Sequence, residues 1–390
     1  PSGELCRGRI HPTRINSALQ GSREIIIKEE GESMKIGLIG LPQSGKKTLF
    51  EVLANCRPKE SEIVLNKPIK AVAEIKDARF DRLVEAYRPK KAMMARIDIE
   101  MLPKLEKDTI AKGGIFVDIN ELDAICHVVR AFKDEAVYHA EGSVDSKRDI
   151  DSVNSELILH DLIFIEKRME RLEKNIKKIK EEASLKEKEV LEKMKTHLEK
   201  EIPLRLLELT GYEKKIISSY PFVTRKNMII VLNISEEDLK NTCLVDELKS
   251  RYQPAGISIM QVSAKVESEI ANLESEEEKK EFLKELGIME PAINILTQLC
   301  IKALNLISFF TVGQDEVRQW TIRSGSTAPE AAGAIHSDLQ KGFIRAEIIK
   351  YNDFISLGSE KRVEEAGKLY IKGKDYIIED GDIVNIRFSV

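Results

Sequence analysis

The chain has 390 residues, 33% of them charged and 42% hydrophobic, with a formal net charge of −4; this suits two or three folded domains and excludes both wholesale disorder and a uniformly basic nucleic-acid binder. Five scattered cysteines without a CxxC pair and six histidines without HExxH offer neither a disulfide framework nor a zinc site and point to a reducing compartment, the cytoplasm. No apolar run reaches the ~18 residues of a membrane span; Ile293 to Phe310, interrupted by Asn294, Gln298, Lys302 and Asn305, is expected to be an amphipathic helix. Residues 1–33 start at Pro1 and are polar and aperiodic, so the fold is expected to begin at Met34, after a loose tail or tag.

Lys35-Ile-Gly-Leu-Ile39 predicts a short buried strand and Thr48 to Asn55 a helix. Between them stands Gly40-Leu-Pro-Gln43-Ser44-Gly45-Lys46-Lys47-Thr48. A glycine-flanked loop from a strand into a helix turns its backbone N–H groups onto an anion, the helix N-terminus adds partial positive charge, and Lys46 can reach terminal phosphates. One position departs from the pattern. After Gly-Lys such loops place Ser or Thr, whose hydroxyl ligates Mg²⁺. Here Lys47 stands there; an ammonium has no lone pair for a metal and is expected instead to put its own positive charge on the phosphates. Thr48 is turned away by ~100° of helix. Mg²⁺ binding is therefore expected to be weakened or lost while metal-free nucleotide binding persists. Ala124-Ile-Cys-His-Val-Val129 predicts a further strand, in which Cys126 and His127 are core residues.

The next block is helical and charged. Ile158, Leu162, Ile165, Met169, Leu172, Ile176 and Ile179 repeat at spacings of four and three, and Leu191, Met194 and Leu198 form a second, shorter seam; two antiparallel helices packed seam to seam satisfy both. Lys167 to Lys180 carries seven Lys/Arg against two Glu. Lys167, Arg168, Arg171, Lys174, Lys177 and Lys178 are then either a solvated outer face or RNA phosphate contacts. Strands follow at Met228–Leu232 and Ile257–Met260, then a charged helix at Glu274–Leu286. Both strands end in polar motifs where open α/β sheets bind ligands. Asn233-Ile-Ser-Glu236 occupies the place of the guanine-reading Asn-Lys-x-Asp, with a longer acid and no Lys, so guanine selectivity should be poor. Ser263-Ala264-Lys265 would touch the base through its backbone. The last block carries strands at Val317–Ile322, Ala346–Ile349 and Ile383–Phe388, with a helix at Ala328–Ile335. His336 and Asp338 lie two apart with no nucleophile beside them, which indicates a structural or RNA-contact role.

These motifs, in this order, resemble the YchF / Obg-like ATPase family. The similarity runs through Asn154-Ser-Glu-Leu-Ile-Leu159 and Glu166-Lys-Arg-Met-Glu-Arg-Leu172, and it is densest in Phe309-Phe-Thr-Val-Gly313, Glu316-Val-Arg-Gln-Trp-Thr-Ile322, Ile335-His-Ser-Asp338, Lys341-Gly-Phe-Ile-Arg-Ala-Glu347 and Gly373-Lys-Asp-Tyr376. The resemblance implies an α/β fold in three parts: a Ras-like P-loop NTPase domain with a mainly parallel sheet (34–148 and 214–307), an inserted antiparallel coiled-coil hairpin (149–213), and a C-terminal ubiquitin-like β-grasp (TGS) domain (308–390). It also implies ATP in preference to GTP, slow hydrolysis and contact with ribosomes. The family's switch I Thr has no counterpart between Thr48 and Thr109, and no Asp-x-x-Gly occurs between Lys70 and Arg130. Asp98, in Ile97-Asp-Ile-Glu-Met-Leu-Pro103, is the best surviving metal-side carboxylate.

The expectation is a purine-nucleotide-binding protein, ATP or GTP, engaging ribosome or rRNA, with weak or absent hydrolysis. The alternatives are a pseudo-NTPase scaffold and an RNA- or ribosome-binding protein whose nucleotide loop is vestigial. Catalytic residues are not assignable from the motifs.

Overall fold

The computed structural model describes residues 34–64, 67–106, 113–139, 141–177 and 182–389. The expected tail at 1–33 lies outside them, as do Ile179 and Lys178.

The first sheet has the order β2-β4-β1-β5-β6-β7, built from β1 (Lys35–Ile39), β2 (Ile69–Glu74), β4 (Arg96–Met101), β5 (Ala124–Arg130), β6 (Asn227–Asn233) and β7 (Ile257–Val262). β2 is antiparallel to β4, and every other pairing is parallel. Parallel strands need covered faces, hence the near-continuous apolar runs. Side-chain alternation divides them between two cores. Ile36, Leu38, Cys126, Val128, Ile229 and Val231 pack with Leu49 and Phe50 of α1 (Lys46–Ala54) and with Leu296 and Cys300 of the helix Ala292–Ala303. Ile39, Ile125, Val129, Ile230 and Leu232 pack on the opposite face with Ile115, Ile150, Val245 and Leu248. α1 begins two residues before the predicted helix, since the loop enters it at Gly45.

A helical arm leaves the sheet after β5. The helix Ser146–Ile176 and the return helix Glu182–Leu198 share a core of Ile165, Leu172, Leu191, Met194 and Leu198, with Ile158, Leu162, Met169 and Ile176 against it. The described members of the predicted seam, Ile158 to Ile176, are the packed ones. The antiparallel sense shows in the ion pairs Glu166–Lys195 (2.8 Å) and Glu173–Lys188 (2.9 Å), whose numbers rise on one helix as they fall on the other.

The second sheet has the order β11-β10-β12-β8-β9-β3. Five strands come from the C-terminal block: β8 (Leu306–Thr311), β9 (Glu316–Arg323), β10 (Phe343–Lys350), β11 (Tyr370–Lys372) and β12 (Asp382–Phe388). The sixth, β3 (Lys91–Met93), comes from the first block and pairs with β9 in parallel. The helix Ala328–Ile335 packs its alanines against Phe309, Trp320 and Ile348 on one face. Phe80 and Leu83 of the helix Ala78–Tyr87 pack with Phe310, Val317 and Ile383 on the other. The stretch Ile293–Phe310 is not one helix: it turns at Asn305 (φ 54) and continues as β8, because its residues from Leu306 on pair with β9.

Candidate nucleotide-binding site

The loop Gly40–Gly45 leaves the C-terminal end of β1 and opens α1. Gln43 and Gly45 both take left-handed backbone, φ 61 and 86, the alternation that turns successive N–H groups toward one point. A Cβ at Gly40 would stand 2.5 Å from the Val128 carbonyl, and one at Gly45 would collide with Asn233 Nδ2. No side chain caps α1 and its first turn holds no acid. Its positive end is thus left for an anion, the fit a polyphosphate requires.

Asn233, the last residue of β6, braces this loop. Its Nδ2 donates to the Ser44 carbonyl at 3.0 Å while its Oδ1 accepts from the Ala264 amide at 2.9 Å. Ser263 caps the helix Ala264–Ala271. The structure therefore brings Gly40, Gln43, Ser44, Gly45 and Lys46 together with Asn233, Ser263 and Ala264. Lys265 and Glu236 stand at the exposed rim, 3.4 Å apart as an ion pair. Ser44 Oγ and both His127 ring nitrogens are buried without hydrogen-bond partners. Burial, and then the Lys46 charge, holds the His127 imidazole down to about 3, so it is neutral.

Lys46 is the most constrained cation of the group. Its Nζ donates to the carbonyls of Leu102 (2.7 Å) and Pro103 (2.8 Å). Burial, reinforced by the charge of Lys104, holds its pKa down to about 7. The residues after β4 lie along the loop: the Leu102 amide donates to the Leu38 carbonyl and the Leu105 amide to the Gly40 carbonyl. The sequence reading missed Lys104 and these carbonyls. The signal was available in the apolar alternation Ile97, Ile99, Met101, which makes β4 a strand able to lie beside β1.

Three expectations are corrected. Asp98 pairs in register with Lys35, the first residue of β1, at the end of the strand away from the loop. The metal-side candidate is therefore at the wrong end of the sheet. Lys47 Nζ lies 3.7 Å from Glu51, one turn along α1 and largely exposed, so its ammonium faces away from the cradle and only its backbone belongs there. Arg168, assigned to a possible RNA face, is spent within the arm, with Nε bonded to Glu187 (2.6 Å) and to Tyr220. Lys167, Arg171, Lys174 and Lys177 remain exposed. Cys126 and His127 are fully buried as expected, and His336 with Asp338 is an exposed pair capping a short helix.

Residues 306–389 match the family model YchF-GTPase_C, described as a protein of unknown function (DUF933). The chain is 37% identical to the ribosome-binding ATPase YchF of Bacillus subtilis, over 92% of its own length and 100% of the relative's. It is 40% identical to the protein of that name from Haemophilus influenzae, over 91% and 99%. This chain belongs to the YchF family. The solved structure of the Schizosaccharomyces pombe YchF GTPase superposes with a TM-score of 0.77 at 32% identity, covering 92% of this chain and 98% of that one. The P-loop fold with a helical insert and a C-terminal domain is thus the YchF architecture.

Among the described residues, the site presents no magnesium ligand at position 47, where such loops carry a hydroxyl. Among the described residues no cluster of three or more His, Cys, Asp or Glu is placed to hold a metal. Met101 to Leu105, the stretch beside the loop, contains no carboxylate, and position 47 offers an ammonium. The described donor set does not fit Mg²⁺.

Proposed function

We propose that this chain is a cytoplasmic, ribosome-associated regulator of translation that binds a purine nucleotide, ATP before GTP, and turns it over slowly or not at all. Its relatives carry the name ribosome-binding ATPase. The single observation that supports the reading most strongly is the glycine loop, held in left-handed turns at an uncapped helix start and braced by Asn233. In this reading the amides of Gly40 to Thr48 and the Lys46 ammonium would hold the phosphates. Asn233, Glu236, Ser263, Ala264 and Lys265 would flank the base.

The nucleotide domain would comprise 34–148 and 214–307, the coiled-coil insert 149–213 and the TGS domain 308–390, with Lys167, Arg171, Lys174 and Lys177 of the insert available to ribosomal RNA. Slow turnover follows from the donor set. Phosphoryl transfer rests on a metal and oriented donors for its charge stabilisation, and this loop supplies the single ammonium of Lys46 instead. Titration calorimetry with ATP, ADP and GTP on the full chain tests the reading. Binding of at least one of them tighter than about 1 mM is expected, and no binding by any overturns it.

A second reading, a vestigial loop on a ribosome-binding scaffold, is favoured by the occupation of Lys46 by main-chain carbonyls. Ribosome pelleting that is indifferent to ATP and to Lys46→Ala would select it.

A further inference from the structure

A cavity of about 410 Å³ lies where the arm joins the first sheet. Its walls come from the first half of the helix Ser146–Ile176, the turn after the return helix, the segment before β6, and Arg251, Tyr252 and Ala255 leading into the start of β7. Ile257 is the first residue of β7, whereas Ser263 follows its far end, so the cavity and the phosphate loop are at opposite ends of the sheet. Its volume falls within the roughly 300–1,000 Å³ of small-molecule sites.

Two cations line this space and they differ. Arg251 is neutralised by Asp151 at 2.8 Å, and the same carboxylate accepts from Tyr252 Oη at 2.6 Å. Asp151 therefore has little to offer a further cation. Arg205 has no acid. Its Nε donates to the Ala255 carbonyl at 2.9 Å, and no carboxylate of the described residues pairs with it. Burial alone draws its pKa down to about 10, with no anion opposing the shift. A guanidinium partly withdrawn from water without a paired counter-charge is costly, and its planar fork is the natural partner of a carboxylate or phosphate. Asn154, Ser155 and Thr224 line the same space with an amide and two hydroxyls, and Glu201 adds a solvent-exposed carboxylate that pairs with neither arginine, while Leu157, Ile158, Pro203 and Ile257 supply an apolar wall. One unpaired fork beside an apolar wall selects a ligand with an oxyanion at one end and a nonpolar body at the other.

We propose that this cavity binds a small organic anion, its oxyanion seated on Arg205 and its body against Leu157 and Ile257, as a second site independent of the phosphate loop. Phenylphosphate is a suitable probe, with inorganic phosphate and benzyl alcohol carrying each half of its chemistry alone. Titration calorimetry and ligand-observed NMR are run on the full chain and on its Lys46→Ala variant, which disables the loop. The expected result is saturable phenylphosphate binding below about 1 mM in both proteins, at least about tenfold weaker for either half-probe. Arg205→Gln should weaken it by about tenfold or more with the melting transition retained. Should Arg205→Gln fail to fold, Ser155→Phe, a ring introduced from an exposed position of the helix, should abolish binding by filling the space. No saturation up to about 10 mM, binding unchanged by both substitutions, or binding lost with Lys46→Ala would each overturn the proposal.

Discussion

Lys46 carries the electrostatics of the site, and its surroundings make nucleotide binding a proton-coupled event. With its pKa held down to about 7 by burial and by Lys104, the ligand-free side chain is partly neutral near physiological pH. Phosphates placed against it favour the ammonium. Binding therefore takes up a proton, roughly three-quarters of one at pH 7.5, if the bound lysine returns toward its ordinary value. Affinity should fall as pH rises above 7, because the ligand must restore a charge the free protein has given up. Titrations in buffers of different ionisation heat measure the uptake directly, and equal apparent enthalpies in all buffers would refute it. Gly45 is the second sensitive residue. Gly45→Ala adds a Cβ at φ 86 and drives it into Asn233, so it should reduce nucleotide affinity at least about tenfold, strain and a lost brace each contributing about 1–3 kcal/mol. Wild-type affinity in that variant would show that the loop geometry is irrelevant. These residues were legible because Gly-x-x-x-x-Gly-Lys states its own geometry. The Lys47 and Asp98 placements were not, since one depends on a rotamer choice toward Glu51 and the other on β-register.

Elements show the same division between local pattern and long-range partner. The arm was readable because a seam of spacing four and three has one packed solution, and the side chains it named form that core. Leu191 is fully buried there. Leu191→Ala should cost about 2–5 kcal/mol of arm stability. Hydrogen exchange should then rise along Ser146–Ile176 and Glu182–Leu198 while β1, β5 and β6 stay protected; uniform loss across both would mean that arm and sheet are one cooperative unit. β3 was illegible: three residues, Lys91 to Met93, hold no periodic signal and become a strand only because β9 offers an edge. The break at Asn305 is equally silent, since helix and strand halves of Ile293–Phe310 are both apolar and only pairing with β9 distinguishes them.

Across the whole molecule, the C-terminal sheet is welded to the first block. β3 extends it, Phe80 and Leu83 fill its inner face, and Arg79 bonds Asp77 and Asp380 at once. Ending the chain at Ile307 would leave those apolar side chains and the β3 edge uncovered. The truncated protein should melt more than ~5 °C below the full chain and aggregate on heating; an unchanged melting temperature would show the contacts to be incidental. Sequence gave the order of the blocks through the motifs they carry, but the interlock between first and last arises from contacts more than two hundred residues apart, which no local pattern encodes.

In the proposed function the loop holds a polyphosphate through backbone amides and the Lys46 charge, without a metal cation's help. ATP titrated into the full chain in excess EDTA, and again in Mg²⁺, tests it most directly. Metal-free retention of the phosphates gives dissociation constants within about threefold of each other. Binding that appears only when Mg²⁺ is present would contradict it.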